Sequence, residues 1–184
     1  MKHPFLQGKK VYLRPTSIDD AEFICEGENN PEVRYSLFLA FPAEIHRKRE
    51  QIQEYMNSKE TILLTIIDKD ADRVVGQTAF FRTDWVSRAT IFYLAILNPE
   101  YWSKGFGTEA THLMVDYAFS SLNLNRIQLH VLSDNTSAIR IYKQAGFIKE
   151  GILRQAMFHN DKYCDFWVMG ILKENWLKRS EEKS

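Results

Sequence analysis

The segment "EYWSKGFGTEATHLM" sets Gly105 and Gly107 one residue apart, after an apolar run and just before residues with helical spacing. Glycines at the mouth of a helix let a ligand approach the backbone closely. The first turn adds N–H groups without intrahelical partners and about half a positive charge. The amides of Lys104, Gly105, Phe106, Gly107 and Thr108 can therefore cradle a phosphate or carboxylate, with the Lys104 ammonium at the rim. A tight strand-to-helix turn asks for similar residues, and both readings stand at this point. The third glycine of a dinucleotide fingerprint and the G-K-[ST] of a P-loop are both missing. The basic run His46-Arg47-Lys48-Arg49 is a second candidate anion patch. Glu44, Glu50 and Glu54 interleave with it, so a solvated helix face is the plainer reading. The five histidines are scattered without metal-ligand spacing, and no metal site is expected.

The elements that must position the glycine pair follow from periodicity. Residues 61–68, 73–82 and 89–97 are short runs rich in β-branched and aromatic residues, and they read as three consecutive antiparallel strands. A helix is expected from about residue 105 to 121, with Ala110, Leu113, Met114, Tyr117 and Ala118 as its apolar face. Then come a strand at 125–132, a helix at 135–146 closed by Gly146, a strand at 147–158, a turn and a last strand at 163–172. The strand, helix, strand order implies a parallel pair with a right-handed crossover. Upstream, residues 10–14 alternate like a strand. Residues 16–30 read as a helix punctuated by Pro31, and residues 42–58 as a second helix. The expected architecture is one α/β domain over residues 1–184: a six- or seven-stranded mixed, mainly antiparallel sheet with helices on both faces, and a frayed tail at 177–184.

Composition bounds the function. With 24 basic and 24 acidic side chains there is no net field to gather polyanions, so no nucleic-acid partner is expected. No run of 18 uncharged apolar residues appears and the amino end lacks a signal-peptide pattern, so no membrane partner and a cytoplasmic location are expected. Cys25 and Cys164 form no CxxC and read as two reduced thiols.

"LNPEYWSKGFGTEA", followed by a helix, a strand and "SDNTSAIRIYKQAGFIKEG", resembles the GNAT superfamily of acetyl-CoA-dependent N-acetyltransferases. The likeness spans residues 9 to 176. It is strongest to the branch of ribosomal-protein Nα-acetyltransferases and spermidine N-acetyltransferases, through "RPTSIDDAE", "NNPEV" and "DKYCDFWVMGIL" as well. The resemblance implies acetyl-CoA as cofactor and a V-shaped cleft between the fourth and fifth strands. Trp102 to Gly107 would bind the coenzyme A pyrophosphate, with Trp102 where Gln or Arg is frequent and Ser103 where Gly is frequent. Ala95, Ile96 and Leu97 would run beside the pantetheine. Asn135 matches the asparagine that bonds the cofactor arm, although the same side chain is a good helix N-cap. Tyr142 matches the general acid, although Ile139, Tyr142 and Phe147 share an apolar spacing that suits a core.

A primary amine reaches the enzyme mostly as ammonium and must lose a proton before it attacks a thioester. Relatives in this branch often carry Glu at the start of the fourth strand, where this chain has Thr90, which is no base at neutral pH. His130 is the candidate base through water. Asp134, Glu32 or bulk solvent are the alternatives, the last suiting an α-amine of low pKa. Glu28, Glu32 and Tyr35 lie where the resemblance puts substrate entry; Glu26, Glu28 and Glu32 equally fit solvated helix acids. The implied reaction is direct transfer of acetyl to a primary amine in a ternary complex, the amine being a peptide N-terminus or a small amine such as a polyamine. A catalytically silent coenzyme A-binding module is the alternative. Phe158, Tyr163, Phe166 and Trp167 on the last hairpin fit either a homodimer edge or core packing.

Overall fold

A computed structural model describes residues 3–159 and 161–181. The amino-terminal part forms β1 (Leu6–Gln7), β2 (Val11–Pro15), α1 (Ala21–Asn29), α2 (Pro31–Leu37) and α3 (Ile45–Asn57). A meander follows: β3 (Ile62–Asp68), β4 (Arg73–Asp84) and β5 (Ala89–Ile96). The carboxy-terminal part is α4 (Phe106–Asp116), β6 (Arg126–Leu132), α5 (Thr136–Ala145), β7 (Ile148–His159), β8 (Lys162–Leu172) and α6 (Lys173–Glu181).

The described strands form one sheet of order β1-β2-β3-β4-β5-β6-β8-β7, and among the described residues only the β5–β6 pairing is parallel. The sheet has eight strands where six or seven were expected; the extra one is β1, two residues too short to show periodicity. The expected cleft between the fourth and fifth strands is therefore the one between β5 and β6. The parallel crossover runs through α4. β6 and β7 do not pair, because β8 lies between them, antiparallel to both.

α2 is an element the sequence reading passed over, having taken Pro31 as a stop. Pro31 sits instead at the first helical position, and the Asn30 side chain accepts hydrogen bonds from the Glu32 and Val33 N–H groups. The tail expectation also changes, since α6 continues to Glu181; for residues 182–184 it lies outside the described residues.

Successive side chains of β5 serve two cores on opposite faces of the sheet. Phe92, Leu94 and Ile96 join Met114, Phe119, Ile139 and Tyr142 of the α4 and α5 side. Tyr93, Ala95 and Leu97 join Ala21, Ile24, Val33 and Ile52 of the α1, α2 and α3 side. α1 comes close to the end of β5 because residue 27 is glycine: a Cβ there would lie 2.6 Å from the Leu97 side chain. A buried ion pair locks the start of α1 to the sheet. Arg14 of β2 donates to both oxygens of Asp20, at 2.7 and 2.6 Å, and the Thr65 hydroxyl of β3 donates to Asp20 Oδ2 at 2.8 Å. Burial opposes ionisation of Asp20, but these donors and the Ser17 N–H outweigh it and hold the carboxyl below its ordinary range.

Candidate active site

β5 and β6 pair only through Ala89–Arg126, Thr90–Ile127 and Ile91–Gln128. Beyond these, β5 stays with β4 as far as Ile96 while β6 stays with β8 as far as Leu132, so the sheet splits into a V. A cavity of about 840 Å³ fills the split, lined from the glycine loop at one end to α2, β6 and the β7–β8 hairpin at the other. Because it passes between strands, it opens to both faces of the sheet.

The backbone of β5 is turned toward this opening. The Leu97 N–H donates to Val75 O at 3.0 Å while Gly76 stands opposite Ile96, which makes Gly76–Ile96 a non-hydrogen-bonded antiparallel pair. The N–H and C=O groups of Ile96, and of Leu94 two residues earlier, therefore face away from β4 and into the V. Trp102 Nε1–H donates to the Ile96 carbonyl at 3.1 Å, which ties the loop to the strand end.

At the loop, Gly105 has φ of +87°, a left-handed conformation that glycine adopts without strain, and it is the N-cap of α4. The first intrahelical bond is from the Glu109 N–H to Gly105 O, so the amides of Phe106, Gly107 and Thr108 precede the ladder. Gly107 is buried, and a Cβ on it would meet Leu94, Ile141 and Ile96 at 3.4 to 3.6 Å. The sequence reading missed what holds this loop. The Glu109 carboxylate accepts the Lys9, Lys10 and Val11 N–H groups at 2.8, 2.7 and 2.8 Å, and Lys10 Nζ donates to Lys104 O at 2.9 Å. Partial burial disfavours the Glu109 charge, but the three backbone donors dominate and keep its carboxyl below the usual range. No local pattern announces a contact between residues about a hundred apart.

Tyr142 lines the cavity from α5. It is 8% exposed, set edge-on to Phe92 and Phe147, and burial pushes its hydroxyl up to about 12. Core membership and cavity lining are thus both true of this side chain. Asn135 is likewise both N-cap and lining residue: its Oδ1 accepts the Ala138 N–H at 3.0 Å, leaving the amide Nδ2–H donors for the cavity.

Among the other expected residues, Ala95, Ile96, Trp102, Ser103, Gly105, Phe106, Gly107, Thr108 and His130 line the cavity. Leu97 lies in the α1 to α3 core, and Lys104 is exposed, its ammonium 5.4 Å from the Tyr101 ring centroid. His130 projects from β6 on the face opposite Leu129 and Val131, which is the α1 to α3 side. Thr90 is buried away from the cavity, its hydroxyl 2.9 Å from that of Thr83 and donating to Phe81 O at 3.2 Å. Glu28, Glu32 and Tyr35 do not line the cavity. Glu28 is paired with Lys48 at 2.6 Å, so Lys48 is not the solvated side chain that its basic run suggested. Glu32 is exposed, and Tyr35 packs on His159 with 4.9 Å between ring centroids. Phe38, Met157 and Phe166 also line the cavity and were not foreseen, because three distant segments supply them.

Residues 10–148 match the acetyltransferase (GNAT) domain family. The chain belongs to this family. It is 31% identical to an uncharacterized N-acetyltransferase p20 of Bacillus licheniformis, over 93% of this chain and 97% of that one. It is 29% identical to a spermidine N(1)-acetyltransferase of Vibrio cholerae, over 94% and 98%. The crystal structure of spermidine N-acetyltransferase from Vibrio cholerae in complex with CoA and spermine superposes with a TM-score of 0.84 at 27% identity, covering 92% of this chain and 99% of that one. This GNAT chain is an acetyl-CoA-dependent N-acetyltransferase acting on an amine. Among the described residues no helix is long and apolar enough to cross a membrane, and no group of His, Cys, Asp or Glu is arranged to hold a metal.

Proposed function

We propose that the V between β5 and β6 is where acetyl passes directly to a primary amine with donor and acceptor bound together. The observation that carries this reading is one cavity lined both by unpaired helix-start amides and by a buried, protonated Tyr142. The amides of Phe106, Gly107 and Thr108 fit a pyrophosphate, since they meet no intrahelical acceptor and all three residues line the cavity. The Asn135 Nδ2–H and the edge of β5 offer hydrogen bonds to an amide-bearing arm.

Bound acetyl-CoA supplies an activated thioester carbonyl. The Ile96 and Leu94 N–H groups face the cleft and serve as fixed donors to an oxygen that gains negative charge, with no reorganisation required. The Tyr142 hydroxyl holds a proton where a thiolate would leave. His130, on the other face, takes the proton of the incoming ammonium through water; histidine is the side-chain type suited to that task at neutral pH.

The same reading treats residues 1–184 as one catalytic domain working in the cytoplasm. It gives the molecule a homodimer edge at the β7–β8 hairpin, where Phe158 and Tyr163 are 61% and 65% exposed. Light scattering of the purified chain tests the last point.

The test of the site is isothermal titration of acetyl-CoA into the wild type and Gly107→Glu. Binding in the wild type that vanishes in a variant with unchanged circular dichroism supports the cradle. Equal binding by both proteins removes it.

A further inference from the structure

We infer that the acceptor of this enzyme is a monoamine with an apolar, preferably aromatic, group beside the amine, and not a polycation. This rests on the proposed reading of the cavity as the transfer site. The acceptor half is the part on the α1 to α3 face, reached past Leu37, Phe38, Tyr93, His130, Met157 and Phe166. Among the described residues no Asp or Glu lines any part of the cavity, whereas Arg140 does.

The carboxylates that flank this half in the chain stay off the lining: Asp165, beside Phe166, accepts the Gln155 N–H at 2.8 Å, Asp134 is exposed, and those of α1 and α2 are paired or exposed. Glu28 is ion-paired with Lys48, both side chains only 13% exposed, and its charge is felt at Tyr93 although it does not itself line the cavity; the same ammonium also bonds Gln51. Glu26 and Glu32 are exposed and off the lining. Phe38 stands edge-on to Phe166 at 5.8 Å and to His159 at 4.9 Å, so the wall is a continuous aromatic cluster.

An acceptor with several ammonium groups would have to dehydrate each of them against this wall. Aromatic faces attract one cation well, but they do not replace carboxylates for the second and third. An aryl or branched alkyl group gains by leaving water for the same surface. Two sources present that chemistry: free arylalkylamines and peptides whose first residue is apolar.

Phe38 offers a direct probe. It is the C-cap of α2 with φ of +58°, a left-handed conformation that strains a bulky residue and suits aspartate better. Phe38→Asp therefore adds a carboxylate to the wall without a backbone penalty.

Acetylation of 2-phenylethylamine, Phe-Gly-Gly amide and spermidine is followed by mass spectrometry in the wild type and Phe38→Asp, with acetyl-CoA titrated into both. The expected wild-type result is a kcat/KM for at least one apolar amine about 10- to 100-fold above that for spermidine. Phe38→Asp is expected to narrow that ratio at least tenfold. Turnover of the first amine only marks a free amine as acceptor, and turnover of the second only marks a peptide N-terminus; either supports the inference. Spermidine equal or superior in the wild type overturns it. So does acetylation of none of the three while acetyl-CoA still binds, an outcome that leaves the transfer site standing. Failure of acetyl-CoA to bind overturns both.

Discussion

The Oδ1 atom of Asn135 accepts the Ala138 N–H at 3.0 Å, and the residue that caps α5 in this way also lines the cavity, with its amide nitrogen not used by the cap. The two roles use different atoms and separate by substitution. Asn135→Asp keeps an acceptor for the cap, and its stability to urea is expected to match the wild type while KM for acetyl-CoA rises. Asn135→Ala loses both, with a further stability loss of about 1 kcal/mol. A rise in KM confined to the alanine variant would reduce Asn135 to a cap.

Tyr142→Phe keeps the ring in the core and removes the proton. The expected result is a fall of about 10²-fold or more in kcat with KM for acetyl-CoA nearly unchanged, read from steady-state kinetics. An unchanged kcat would leave Tyr142 as packing alone. His130→Gln should act differently, slowing a strongly basic alkylamine more than a peptide α-amine, which loses its proton to solvent more readily.

The buried tyrosine also sets an alkaline limit. Its folded value of about 12 exceeds the ordinary 10.0, so the proton is held more tightly in the folded chain. The stability that this contributes is complete below pH 10 and lost as pH rises toward about 12. Tyr93, raised by burial and then by the charge of Glu28, acts in the same sense. Urea titrations at stepped pH should show a steeper alkaline decline in the wild type than in Tyr142→Phe.

Asp20 sets the acid limit with the opposite sign. Its folded value lies below the ordinary 3.8, so the contribution is present above that pH and disappears as pH falls through the folded value. Removing the partner with Asp20→Ala leaves Arg14 buried and unpaired, and should cost about 3–5 kcal/mol in urea unfolding. A loss under 1 kcal/mol would mean that water reaches Arg14.

Most of the fold was legible because β3, β4 and β5 are short runs rich in β-branched and aromatic residues, α4 has helical spacing, and the glycine pair marks a helix start. What escaped was either too short or too distant. β1 has two residues, and α2 hid behind a proline read as a stop although Asn30-Pro31 is a helix-start pair. The glycine loop and Tyr142 were visible as local motifs. The acceptor wall was not, since Phe38, Met157 and Phe166 meet only after the sheet is assembled. The pairing of Glu28 with Lys48 bridges two helices, and charge spacing within either helix alone could not reveal it.

The bonds that Glu109 collects from Lys9, Lys10 and Val11 make the amino-terminal hairpin a splint for the cradle, although no residue of the hairpin lines the cavity. Glu109→Ala would free that splint while leaving the central strands paired. Its first symptom would be slack cofactor binding in a chain that still looks folded.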